Sequence, residues 1–129
     1  MIVDTSAIVA ILRREPEGDA FFERVVEAER PAMSAIALVE AALIIEGRGG
    51  RAAGVRLDSF VDKAGIEVVA VTAGTARLAR EAWRVWGRGN HPARLNFGDC
   101  FAYALAQERG EPLLFKREDF ARTDVRRAL

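Results

Sequence analysis

The chain is poor in the residues on which most small catalytic and secreted domains depend, with one cysteine, Cys100, and one histidine, His91, in 129 residues. A single thiol excludes an internal disulfide framework and fits a reducing cytoplasm. One imidazole, with no thiol or second imidazole at ligand spacing, argues against a structural zinc. No G-x-S-x-G elbow accompanies it, so a Ser/His/Asp hydrolase has no support. Neither G-x-G-x-x-G nor a P-loop is present. No apolar run reaches the roughly 20 residues that cross a bilayer, and the amino terminus lacks the basic region and cleavage site of a signal peptide. A cytoplasmic protein with no membrane span is the expectation. Charge of one sign is missing too: 19 Lys and Arg balance 19 Asp and Glu. Bulk charge therefore announces no nucleic-acid partner. Its distribution is only mildly uneven, with 8 basic and 11 acidic residues in 1–65 against 11 and 8 in 66–129.

What is present suits one globular domain spanning 1–129, long enough to bury a core without staples. Ile2 and Val3 can start a short buried strand that ends at Asp4, with Thr5 or Ser6 capping the helix that follows to Leu12. The run Arg13-Arg14-Glu15-Pro16-Glu17-Gly18 breaks that helix. Ala20, Phe21, Val25, Val26 and Ala28 recur at helical spacing over Asp19–Glu29, and Pro31 stops the helix. Ala32 and Met33 allow a very short strand. Ser34 then caps a helix over Ala35–Glu46 that is apolar nearly all round and is therefore expected to be buried. Gly47 is read as its end and Gly49-Gly50 as a flexible break. A second amphipathic helix over Arg51–Ala64 follows, presenting Ala53, Leu57, Phe60, Val61 and Ala64 on one face.

Ile66–Val71 is β-branched and reads as the clearest strand in the chain. The helix over Thr72–Trp86 carries an apolar stripe of Leu78, Ala79, Ala82, Trp83 and Trp86, with Arg77, Arg80, Arg84 and Arg88 opposite. A basic ridge beside tryptophans can follow a phosphate backbone or stack a base. More often it is a solvated face over core tryptophans, and that reading is preferred here. Gly87–Leu95 is a loop, in which His91 reads as a surface residue. Asn96 can cap a helix whose third residue is Asp99, and Gly110 ends it. Leu113-Leu114-Phe115 forms a last short strand, and Thr123–Leu129 reads as a basic helical turn.

Four of these elements end or pivot on acids: Asp4 after the first strand, Glu40 inside the apolar helix, Asp99 at a helix start, and Glu118 and Asp119 after the last strand. Each has an ordinary explanation as a cap, a buried ion pair or a first-turn acid. Glu40 is the hardest to dismiss, since an ionised carboxylate in an apolar helix is costly unless paired or bound to metal. In an open α/β sheet, ligands collect where strands end and helix amino termini point. Carboxylates converging there raise one another's pKa unless a cation lies between them. Mg²⁺ or Mn²⁺ is the simplest such cation, and its chemistry is phosphoryl transfer or nuclease hydrolysis. An aspartate-nucleophile phosphatase would need a second aspartate two residues after Asp4, where Ser6 stands.

On the residues Met1-Ile2-Val3-Asp4-Thr5-Ser6-Ala7, Glu40 in its apolar helix, Asn96-Phe97-Gly98-Asp99-Cys100 and Leu113-Leu114-Phe115-Lys116, the chain resembles PIN-domain proteins over nearly its whole length. The likeness is to the VapC-type toxins of bacterial type II toxin–antitoxin pairs. It implies a three-layer α/β/α sandwich around a short parallel sheet, with Asp4, Glu40 and Asp99 as the acids of a Mg²⁺/Mn²⁺ site. It also implies endoribonuclease activity on RNA, a homodimer, and inhibition by a small VapB-like antitoxin that covers the site. A catalytically silent module of the same fold, binding RNA or a protein, is the alternative. Arg77, Arg80, Arg84 and the basic tail would hold RNA. The chain departs from the family pattern at the fourth acid. Arg117 stands at its usual place, so Asp119, or else Glu118, is assigned that role.

Overall fold

The computed structural model describes residues 1–129. Four parallel strands, β1 (Ile2–Val3), β2 (Ala32–Ser34), β3 (Glu67–Val69) and β4 (Leu113–Leu114), form one sheet in the order β3-β2-β1-β4. The helices are α1 (Thr5–Leu12), α2 (Gly18–Glu27), α3 (Ala35–Lys63), α4 (Ala73–Trp86), α5 (Phe97–Arg109) and the short α6 (Glu118–Ala121). Parallel pairing sets Ile2 beside Ala32 and Leu113, and Val3 beside Leu114.

Alternation along such strands sends successive side chains to opposite faces. Ile2, Ala32 and Leu113 pack with Ala79 and Ala82 of α4, Leu105 of α5, Phe115 beyond β4 and Phe120 of α6. Val3, Met33 and Leu114 instead pack with α1, α2 and α3 through Ile8, Phe21, Ala37 and Leu57. Two cores thus sandwich one sheet, and both faces are apolar, as an all-parallel sheet requires. The expected three-layer α/β/α arrangement is the one observed.

Several local expectations are revised. Helix α3 runs past Gly47, but the break expected at Gly49-Gly50 is present: Gly50, at φ 66° and ψ −170°, is non-helical and divides α3 into two helical segments, the second ending at Lys63. The first segment is not buried all round: Val39 and Leu43 are 56% and 71% exposed. The strand that reads most clearly, β3, is the exposed sheet edge, where Arg109 holds Glu67 through two hydrogen bonds of 3.0 and 3.1 Å. The tail is extended instead of helical. Leu113 N–H donates to Arg126 O at 2.8 Å and Ala128 N–H to Leu113 O at 2.9 Å. That pairing covers the free edge of β4, a role a helical turn could not fill.

Candidate active site

The carboxyl ends of β1 and β4 open onto one cleft of about 380 Å³, walled by Asp4, Glu40, Asp99, Arg117 and Lys116 among others. Asp4 is the first residue beyond β1 and is buried. It is itself the amino cap of α1: the Ser6 N–H donates to Asp4 Oδ2 at 2.9 Å and the Ser6 hydroxyl at 2.5 Å. The cap expected from Thr5 or Ser6 is therefore supplied by the acid, and Ser6 serves it as donor. The same hydroxyl accepts the Lys116 N–H at 3.0 Å, tying the segment after β4 to the start of α1.

Glu40 lies on the second turn of α3. The Thr5 hydroxyl approaches Glu40 Oε1 at 3.3 Å while donating to Ala37 O at 3.0 Å. Asp99 is buried in the first turn of α5 within a capping box: its N–H donates to Asn96 Oδ1 at 2.9 Å, and Asn96 N–H donates to Asp99 Oδ2 at 3.0 Å. Its other oxygen, Oδ1, lies 3.9 Å from the Arg117 guanidinium. Both aspartates thus combine capping with presentation to the cleft. Cap and site acid are one residue, because a helix amino terminus at a sheet's carboxyl edge needs an acceptor in just that place.

Burial pushes all three acids upward, Asp99 to about 7. Asp4 adds to the rise of Glu40 and of Asp99, while Arg117 opposes it at each of the three. Three carboxylates held this way store unfavourable charge that a cation would relieve.

No three His, Cys, Asp or Glu side chains stand as a ready-made metal cage. The donor set nevertheless fits a hard divalent ion. It is all oxygen, and Mg²⁺ takes only one or two protein carboxylates while keeping several waters.

The PIN domain family model matches residues 1–126. The chain belongs to the PIN-domain family. Ribonuclease VapC30 of Mycobacterium tuberculosis is 48% identical over 126 residues, which cover 97% of this chain and 95% of the relative. Ribonuclease VapC of Mycolicibacterium smegmatis is 46% identical over 125 residues, 97% of each chain. The crystal structure of Mycobacterium tuberculosis VapC20, a toxin that cleaves the sarcin–ricin loop, matches with a TM-score of 0.78 at 20% identity, covering 96% of this chain and 95% of that one. This PIN domain is of the VapC type.

Within it, Asp4, Glu40 and Asp99 share the cleft as the sequence suggests. The assigned fourth acid does not join its walls: Asp119 and Glu118 lie on α6, and Arg117 occupies the wall instead. Of the two, Asp119 is the one whose charge reaches Asp99. Sequence reasoning missed the supporting hydroxyls of Thr5 and Ser6, since a Thr-Ser pair before a helix reads simply as a cap. His91 is a brace for its loop, not a free surface group. Its Nδ1 accepts the Ala93 N–H at 3.0 Å and its ring stands edge-on to Trp86, with centroids 4.8 Å apart.

Proposed function

We propose that this protein is a Mg²⁺- or Mn²⁺-dependent endoribonuclease that acts as the toxin of a toxin–antitoxin pair. One observation carries the reading: Asp4, Glu40 and Asp99, from three separate elements, converge on a single cleft in a chain nearly half identical to VapC ribonucleases along its full length. Asp4 and Asp99 are the metal ligands, with Glu40 as a third ligand or as the group that positions the attacking water. Asp119 is the fourth acid, acting through its charge on Asp99. The ion supplies electrostatic stabilisation of the phosphoryl oxygens.

The chain's own groups do the rest. Glu40, held high by burial, takes the proton of the water that adds to phosphorus as the P–O bond on the far side breaks, and the departing oxygen takes its proton from solvent water. Arg117 faces the phosphate with donors that the cluster's negative charge keeps at the cleft. Thr5 and Ser6 hold Glu40 and Asp4 in place. RNA is the substrate, and the acids' place in an open cleft leaves it accessible to a small VapB-like antitoxin. The exposed Val39 and Leu43 on α3 support a homodimer. No helix is long and apolar enough to cross a membrane, and the single buried thiol of Cys100 suits the cytoplasm.

The deciding experiment is cleavage of total RNA with Mn²⁺. Cutting should stop in EDTA and with Asp4→Asn, while the variant melts cooperatively. Cleavage that survives EDTA would sink the proposal. Absence of cleavage with either metal would favour the silent binding module.

A further inference from the structure

The first turn of α5 that gives Asp99 to the acid cleft gives Asn96, Phe97 and Cys100 to a second, larger hollow of about 590 Å³ between α4 and α5. Its floor is apolar, formed by Ala79, Leu95 and Cys100. Two aromatic rings stand at its rim. Phe97 is 73% exposed and meets Phe101 edge-on, with centroids 5.0 Å apart. Trp83 is 49% exposed, so it is not the core residue expected from the stripe on α4. Its indole lies against the backbone of Gly87, where any side chain would overlap it.

Two guanidiniums, Arg80 and Arg88, complete the lining. Neither has a carboxylate within 4.0 Å, whereas Arg84 on the same ridge is taken by Glu81 at 3.1 Å. Their donors remain available to an anion.

We propose that this hollow receives an unpaired nucleobase of the RNA strand whose backbone crosses the acid cleft. Trp83 and Phe97 are its stacking faces, and Arg80 and Arg88 hold the neighbouring phosphates. The inference rests on the ribonuclease reading above and adds to it the place where sequence preference arises. Exposed aromatics interleaved with free guanidiniums are the chemistry of single-strand recognition, in which a base offers its face and the backbone its charge. An apolar peptide could use the rings but would leave both cations without a counter-charge. The two sites share the first turn of α5, where Phe97 and Asp99 are two residues and about 3 Å of rise apart, so a strand placed for cutting at Asp99 has a base within reach of Phe97.

The test measures affinity of the Asp4→Asn protein for a fluorescent single-stranded RNA and for an abasic strand of equal length. Trp83→Ala and Phe97→Ala, each added to that background, should weaken RNA binding roughly 5- to 150-fold and leave the abasic strand unaffected. Trp83→Phe should keep most of the affinity, and it replaces Trp83→Ala as the decisive variant if thermal melts show the alanine form unfolded, its loss on RNA then exceeding its loss on the abasic strand. Unchanged RNA affinity overturns the base pocket. So does an equal loss on both strands, which would make the hollow a protein-docking or packing face. Failure of the underlying reading looks different: the unsubstituted protein would then cut no RNA with Mn²⁺. The pocket alone fails if cutting is intact while Trp83→Ala changes neither affinity nor the choice of cleavage site.

Discussion

Gly98 on α5 and Glu40 on α3 touch so closely that a Cβ at position 98 would overlap the Glu40 carboxylate. The absence of a side chain at 98 is what lets the acid of one helix lie against the backbone of another. Gly98→Ala should therefore leave the fold standing, because the overlap is with the mobile end of a side chain, while pushing Glu40 out of place. A cleavage rate lowered on the order of 10- to 100-fold with a nearly unchanged melting temperature is expected. Unchanged cleavage would show that Glu40 needs no fixed position.

Asp99 links the site to pH. Its carboxyl is raised from 3.8 to about 7 in the folded protein, chiefly by burial. The folded state then binds its proton more tightly than the unfolded chain does. The stability this provides is fully present below the unfolded value and is lost as pH rises through about 7. In metal-free protein, Asp99→Asn keeps the capping box yet carries no charge. It should raise the melting temperature more at pH 8 than at pH 5, with about 4 kcal/mol as the upper limit. Equal gains at the two pH values would refute this. Mn²⁺ should stabilise the unsubstituted protein far more than the variant.

Ser6→Ala removes a hydroxyl that donates to Asp4 and accepts from the Lys116 N–H. Leaving that amide and a buried carboxylate short of a partner should cost about 1–3 kcal/mol. Denaturant titration reads this as a lower midpoint at constant slope, and cleavage should fall with it. A variant as stable as the parent would mean that water replaces the hydroxyl.

Tyr103 offers a control outside the lining of the cleft. Its hydroxyl donates to Asp124 at 2.5 Å and accepts from the Trp86 indole N–H at 3.2 Å. Burial and Asp124 hold its pKa up at about 12. Tyr103→Phe should lower stability by about 1–2 kcal/mol while leaving the cleavage rate per folded molecule unchanged. A rate that falls in proportion to stability would instead couple this network to the site.

Much of the architecture was legible because its signals are local. Ile2-Val3 before Asp4, Ser34 before an apolar run, Asn96 three residues ahead of Asp99, and Gly110 in a left-handed turn all act within a few residues of themselves. What eluded the sequence depends on neighbours brought from afar. Val39 and Leu43 are as apolar as any core residue, and only the placement of α3 against α1 leaves them outside. Gly47 reads as a helix end, yet the backbone stays helical there and breaks only at Gly50. Trp83 belongs to a helical stripe by spacing, yet the stripe is wider than the face that α5 covers. The tail pairs with β4 because that edge is open, which nothing in Thr123–Leu129 announces. Asp4 and Asp99 could be grouped from their positions at element ends and Glu40 from its charge inside an apolar helix, whereas the wall position of Arg117 required the fold.

The place of β1 between two partners has a further consequence. Asp4 N–H donates to Leu114 O at 2.9 Å, so the residue at the centre of the cleft is stitched into the middle of the sheet. Hydrogen exchange at that amide requires β4 to part from β1, an opening close to complete unfolding. The Asp4 amide should accordingly be among the last to exchange, and breathing of the outer helices would leave the heart of the site intact.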